Sequence, residues 1–326
     1  MSLLLGLDLG TSGVKTLVTN ADGAVLATNT EEYALYQPEV GWAEQEPAEW
    51  WAATLSGIEA VLEDPAVDPS DVEALGLTGQ MHGSVFLDDG EVLRPAILWN
   101  DTRTSAQCDE IEKKIGADRI IELASNPPFE GFTAPKILWV REHEPEIYDQ
   151  TDAILLPKDY IRYELTGEFA TDVSDASGTL LLDVGERDWS PEILEELDIS
   201  RDLLPEVYES PEVTGAVTDA VAERTGLPAG TPVVAGAGDN AAGAVGSGVV
   251  GDGDVWGSIG TSGVVFVATD DERTDPEGRV HTFCHAVPDT WHVMGVMLSA
   301  GGAFSWFAET LGGPEAVVAD QLGTDA

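Results

Sequence analysis

A five-residue sequence, Gly10-Thr11-Ser12-Gly13-Val14, returns 250 positions later as Gly260-Thr261-Ser262-Gly263-Val264. Turns made of glycine, threonine and serine present backbone N–H groups and hydroxyls without bulky side chains, which is the chemistry of a phosphate cradle. Each copy runs into a β-rich segment, Lys15 to Thr19 and Val265 to Thr269. The repeat therefore reads as a duplicated strand–turn–strand unit, one copy opening each of two related domains. Two ordinary hairpin turns would carry the same residues, whereas two cradles facing each other would grip a nucleoside triphosphate from both sides. The copies differ two residues before the turn, where Asp8 stands in the first and Ser258 in the second. One carboxylate beside a cradle suits Mg2+, directly or through water, because the ion completes its shell with phosphate and solvent. Lys15, two residues past the first turn, faces either the same phosphates or solvent.

Asp239 follows an apolar strand, Val233-Val234-Ala235, and precedes a small-residue helical pattern, Asn240 to Gly246. That places it at the carboxyl end of a strand, where α/β sheets bind ligands. A carboxylate there either accepts the proton of an attacking hydroxyl or caps the helix, and the residues alone leave both open. Met81 and His82 follow another strand; by themselves they read as core filler and a surface histidine. Trp99-Asn100-Asp101 joins an aromatic plate to polar groups, a combination suited to a polyol, although packing is the ordinary role of a tryptophan.

The elements that must position these residues are legible as patterns. Leu3 to Leu9, Val14 to Thr19 and Ala24 to Thr30 read as strands separated by the turns Gly10-Gly13 and Asn20-Gly23. Pro47 opens a helix that continues through Leu62, and strands follow at Val72 to Thr78 and Ser84 to Leu87. Three meandering strands, a helix and a returning strand predict an α/β fold with a mixed sheet. Helical patterns recur at Thr104 to Ile115, Lys136 to Glu142, Pro191 to Leu197 and Ala216 to Thr225. Ala235 to Gly263 holds ten glycines in 29 residues, a density that serves turns and close backbone approach and marks a junction between domains.

Several segments, in order along nearly the whole chain, resemble the FGGY carbohydrate kinases, and within them the branch acting on xylulose. They are Gly6-Leu7-Asp8-Leu9-Gly10-Thr11-Ser12, Thr78-Gly79-Gln80-Met81-His82-Gly83, Leu98-Trp99-Asn100-Asp101-Thr102-Arg103, Gly131 through Val140, Thr166 through Asp172, Gly236 through Gly243, and Ile259 through Gly263. The resemblance implies two actin-like, ribonuclease-H-like domains around a cleft, with sugar deep on the first and ATP across to the second. It implies ATP-dependent phosphorylation of D-xylulose to D-xylulose 5-phosphate, Asp239 as the base, and Asp8 near Mg2+ and phosphate. Met81, His82, Asn240, Trp99 and Asp101 would contact the sugar. Gly10, Thr11, Ser12, Lys15, Gly260, Thr261 and Ser262 would contact ATP.

On this reading residues 1–250 form the sugar-binding domain and residues 251–326 open the ATP-binding domain. About 75 residues do not complete an actin-like domain. The expectation is therefore a fragment of a longer kinase, or a product without its ATP-closing half, holding a sugar site but little kinase activity. A non-catalytic sugar-binding module and a kinase for ribulose or another ketose are the alternatives.

Charge narrows the partners. Against 60 acidic residues the 326-residue chain has 15 basic ones, a net charge of −45, so nucleic acid, which needs clustered Lys and Arg, and anionic membranes are excluded as partners; a homodimer is compatible. Nine tryptophans and 43% apolar residues argue for a packed core rather than acidic disorder. Cys108 and Cys284 lie far apart and outside metal-type spacing, which fits a reducing cytoplasm. The apolar run at the N-terminus stops at Asp8 with no basic residues before it, unlike a signal peptide. Carboxylates spread along the whole length, with only five lysines, are the composition of an acidic surface suited to high salt, where screening shortens self-repulsion. Stability measured against potassium chloride should accordingly rise from low salt toward molar concentrations; a maximum near zero salt would refute haloadaptation.

Overall fold

A computed structural model describes residues 2–260, 263–297, 299–308 and 310. The first strand, Leu3–Leu9, buries Leu3, Leu5, Leu7 and Leu9 on one face, as period-two alternation requires. It pairs antiparallel with Gly13–Asn20 and parallel with Val72–Gly79. Val25–Glu32 extends one side, while Pro232–Val234, Ala237–Gly238 and Val213–Ala216 complete a seven-stranded mixed sheet on the other. Over its buried face lies the helix Pro47–Leu62, whose Trp50, Thr54, Ile58 and Val61 point inward at helical spacing. The helix sits so close that a Cβ on Gly57 would fall 2.4 Å from Thr16 Oγ1.

The middle of the chain forms a second core around Phe86, Ile111, Ile137, Leu138 and Trp189. The strand expected at Ser84 to Leu87 is Val85–Asp88, and it belongs to a separate three-stranded sheet with Glu91–Val92 and Ala153–Leu155. The helix expected from Ala216 begins at Asp219. Val213–Ala216 is instead spent on a strand, and the Thr218 side chain caps the helix by accepting from Val221 N–H. Pro191–Leu197 is a helix as read, and the pattern at Lys136 to Glu142 lies inside the longer Thr133–His143.

Residues after 250 build a four-stranded antiparallel sheet from Val255–Ile259, Gly263–Thr269, Trp291–Met297 and His281–Cys284, in that spatial order. Phe283, Cys284 and Met294 join the second core, so this sheet is docked on the preceding residues through shared apolar packing. Ile259, Val265 and Met297 on its other face are exposed.

Beneath the Asp239 turn lies a fully buried charge cluster. Lys158 Nζ stands 2.6 Å from Asp159 Oδ1, 2.8 Å from Asp172 Oδ1 and 3.4 Å from Asp175 Oδ2. Burial works against the ammonium, but the three carboxylates outweigh it and keep it protonated. Burial also pushes the Asp159 and Asp175 carboxyls above the usual range. Asp172 Oδ2 accepts from Ser174 N–H and Oγ and from Ser210 Oγ. Ser174 Oγ in turn accepts from Gly238 N–H at 3.1 Å. A chain of polar contacts thus runs from Lys158 to the residue immediately before Asp239.

Candidate functional site

The Gly10-Thr11-Ser12 turn is fastened from behind. Gly10 C=O accepts from the Tyr33 hydroxyl and, at 3.5 Å, from Gln80 Nε2. Thr11 C=O accepts from Gln45 Nε2 at 2.7 Å, and Ser12 C=O from Tyr33 N–H at 3.3 Å. Gln45 Oε1 is held in turn by Trp50 Nε1 and Gln80 Nε2. With its carbonyls engaged on one side, the turn leaves the N–H groups of Thr11 and Ser12 without a backbone or side-chain acceptor among the described residues, the arrangement an anion needs.

Asp8 and Lys15 are opposite one another in the antiparallel pair, so their side chains share a face of the sheet. Lys15 is exposed; it points to solvent and stands beside Asp8 at once. Burial raises the Asp8 pKa and Lys15 opposes the rise. No described donor hydrogen-bonds the Asp8 carboxylate, and no group of three or more metal-binding side chains occurs among the described residues. That fits Mg2+ held by one carboxylate with phosphate and water completing its shell.

Asp239 is the first residue of the helix Asp239–Gly246, and Gly238 holds the capping position. The carboxylate is not a cap across the first turn: Oδ1 accepts from the N–H and Nδ2 of its neighbour Asn240, at 2.7 and 2.9 Å. Asp239 lines a cavity of about 400 Å3 and is exposed to solvent there. Partial desolvation by the surrounding cavity walls raises its pKa to about 6; the Asp8 charge adds to the rise and the Asn240 bonds oppose it. Such a pKa suits a base working near neutrality.

The same cavity is lined by Met81, His82, Trp99 and Asn240, which brings most of the expected sugar contacts together. Trp99 Nε1 also donates to Thr11 Oγ1 at 2.9 Å, tying the cavity wall to the first turn. Asp101 is the exception. It is buried, chelates the Arg103 guanidinium from Nε and Nη2, and accepts from Ala43 N–H at 2.6 Å. Its oxygens are consumed in fixing Arg103, whose guanidinium lies 3.6 Å over the Trp42 ring, and it does not line the cavity. Asp101 is therefore structural. Ser258 lines the cavity too, and Gly260 C=O accepts from Gly301 N–H; Thr261 and Ser262 lie outside the described residues.

His82 adopts a left-handed backbone, φ +69°, and its Nδ1 meets Gly178 C=O at 2.6 Å. A carbonyl can only accept, so Nδ1 carries the proton. Burial pushes the imidazole pKa down to about 3, so it is neutral. Lys136, read from the sequence only as part of a helical pattern, is fully buried and donates to His82 C=O and Gly131 C=O, each at 2.7 Å. It bolts two stretches of cavity wall together, and burial pulls its pKa well down. The hydrophobic periodicity of its helix carried no signal for it; only a lysine inside an otherwise apolar run hinted at a partnered ammonium.

Residues 3–246 match the N-terminal domain of the FGGY family of carbohydrate kinases. A xylulose kinase of Escherichia coli (strain K12) is 49% identical over 311 residues, covering 95% of this chain and 63% of the relative. In a crystal structure of a xyloylose kinase from Brucella ovis the TM-score is 0.91 at 40% identity, and in the xylulose kinase from Rhodospirillum rubrum it is 0.92 at 29%; each covers 98% of this chain and 65% of that one. The fold is the actin-like, ribonuclease-H-like one of these kinases. This chain spans about 63% of the length of the curated relatives it matches.

A Cβ on Gly178 would lie 2.6 Å from His82 Nδ1 and 2.9 Å from Met81 Cε. Gly178→Ala should therefore displace both side chains and cost about 1–3 kcal/mol in urea unfolding; wild-type stability would show that the cavity wall is not packed this tightly.

Proposed function

Because the chain belongs to the FGGY family of carbohydrate kinases, we propose that it serves the ATP-dependent phosphorylation of D-xylulose to D-xylulose 5-phosphate. The observation that carries this reading is Asp239 lining one cavity with Met81, His82 and Trp99, solvent-exposed yet with its pKa raised to about 6 by partial desolvation in the cavity, and with Asp8 close enough to raise it further. The relatives named above as xylulose kinases support the choice of sugar.

In this reading the ketose lies against Met81 and Trp99 with its hydroxyls toward His82, Asn240 and Asp239. The Asp239 carboxylate takes the proton of the terminal hydroxyl as that oxygen attacks the γ-phosphoryl group. The Thr11 and Ser12 N–H groups, with Lys15 nearby, bind phosphate oxygens. Mg2+, held at Asp8, would neutralise phosphate charge when bound. Residues 1–250 would supply the sugar site and the first cradle, and Ser258 reaches the cavity from the residues that follow. The chain is read as cytoplasmic, consistent with its two free cysteines.

Calorimetry with D-xylulose, D-ribulose and glycerol, joined to a coupled ADP-release assay, tests the proposal. D-xylulose should bind this chain in preference to the other two, with little ADP release from this chain alone, and should stimulate ADP release in a kinase of its relatives' full length. In that full-length kinase Asp239→Ala should retain sugar binding and lose about 10²–10⁴-fold in turnover, and wild-type release should fall as pH drops below about 6 because the base is then protonated. Wild-type-like turnover in Asp239→Ala would refute the assignment of the base. Sugar binding with no ADP release even at that full length would leave a binding module as the reading.

A further inference from the structure

The cavity has a polar group that the reading above does not use. His281 belongs to the sheet formed after residue 250, across from the Asp239 helix, and it lines the same space as Met81, His82 and Asp239. Its tautomer is fixed by Asn126. Asn126 is buried and donates from Nδ2 to Ala124 C=O at 2.9 Å and to Thr282 C=O at 2.8 Å. Two carbonyl partners leave no choice about which way the amide faces, so its Oδ1 is the atom 2.8 Å from His281 Nδ1 and can only accept. Nδ1 therefore carries the imidazole proton, and Nε2 is left with a lone pair and no described protein partner. The ring is held by stacking on Phe283, with centroids 5.6 Å apart at 15°, and by an edge contact with Phe132. Burial lowers the His281 pKa, keeping the ring neutral.

His82 has the same electronic form, Nδ1–H given to Gly178 C=O. Two neutral imidazoles with Nε2 lone pairs and the Asp239 carboxylate then make the cavity rich in acceptors. Among the described residues no lysine or arginine lines it. Such a lining matches a neutral polyol, whose hydroxyls donate, and disfavours a sugar that already carries phosphate.

Resting on the functional reading above, we infer that His281 is a substrate-specificity residue: its Nε2 accepts a hydrogen bond from one hydroxyl of the bound ketose, reaching it from the second sheet while His82 and Asp239 engage others from the first. The Asn126 amide is the positioning group, since it selects the tautomer and links the Thr282 backbone to the first part of the chain.

The test uses His281→Phe, which keeps a ring for the stack and removes the lone pair. By calorimetry the variant should bind D-xylulose about 3- to 10-fold more weakly, the effect of one lost hydrogen bond, while its thermal stability falls because the buried Asn126 Oδ1 loses its donor. In a series of monodeoxy xyluloses, one analogue should lose affinity for the wild type yet lose nothing further on going to His281→Phe. In 15N-histidine-labelled wild type, the Nε2 resonance of His281 should move on adding xylulose while Nδ1 stays protonated. Equal affinity of variant and wild type, a loss shared by every deoxy analogue, or an unmoved Nε2 resonance would each overturn the assignment. A wild type that binds none of the sugars would overturn the functional reading and this inference with it, an outcome distinct from a wild type that binds and a variant that binds equally.

Discussion

An ammonium buried among three carboxylates governs the geometry of the cleft floor. Lys158 joins Asp159, Asp172 and Asp175, and because all four groups are away from water, stranding any of them would cost about 3–5 kcal/mol. The cluster therefore has one arrangement, in which burial holds the Asp159 and Asp175 carboxyls above their usual range. Through Asp172 and Ser174 that arrangement reaches Gly238 N–H, and so decides where the backbone turns into the Asp239 helix. What this cluster secures is position; it adds little net stability compared with apolar packing of the same volume.

Position then sets chemistry. Asp239 is held on the cavity wall, where neighbouring protein partly desolvates it and Asp8 contributes like charge, and its basicity rises as a result. The opposite treatment is given to histidine: desolvation makes His82 and His281 neutral, and carbonyl oxygens on Nδ1 choose their tautomers. Burial thus works in two directions, holding the carboxylate's proton affinity up and the imidazoles' down. Trp99 connects this cavity with the first cradle by its bond to Thr11, so that wall and turn are built as one piece.

The parts of the molecule legible in the sequence are those whose cause is local. Alternation in Leu3–Leu9, Pro47 at the start of a helix, and the Pro191–Leu197 helix are set by neighbours two to four residues away, and each stands where its pattern puts it. The place of Asp239 at a strand end before small residues is itself a local pattern, whereas its role as a base follows from the family resemblance. Asp101 was misjudged for the opposite reason: nothing near it announces that Ala43 N–H and the Arg103 guanidinium, stacked on Trp42, will consume its oxygens. Lys136, the Lys158 cluster and His281 were silent as well. Their partners lie far along the chain, as Asn126 lies from His281 and His82 from Lys136, and only the folded topology brings them together.

The central claim is that Asp239 is a carboxylate whose basicity is raised by its place in the cleft. The most direct measurement is the pH titration of its side-chain carboxyl carbon by 13C NMR in the folded protein, with the resonance assigned by its disappearance in Asp239→Asn. The account predicts a midpoint near pH 6. A midpoint at or below about 4, the value of a well-solvated aspartate, would contradict it.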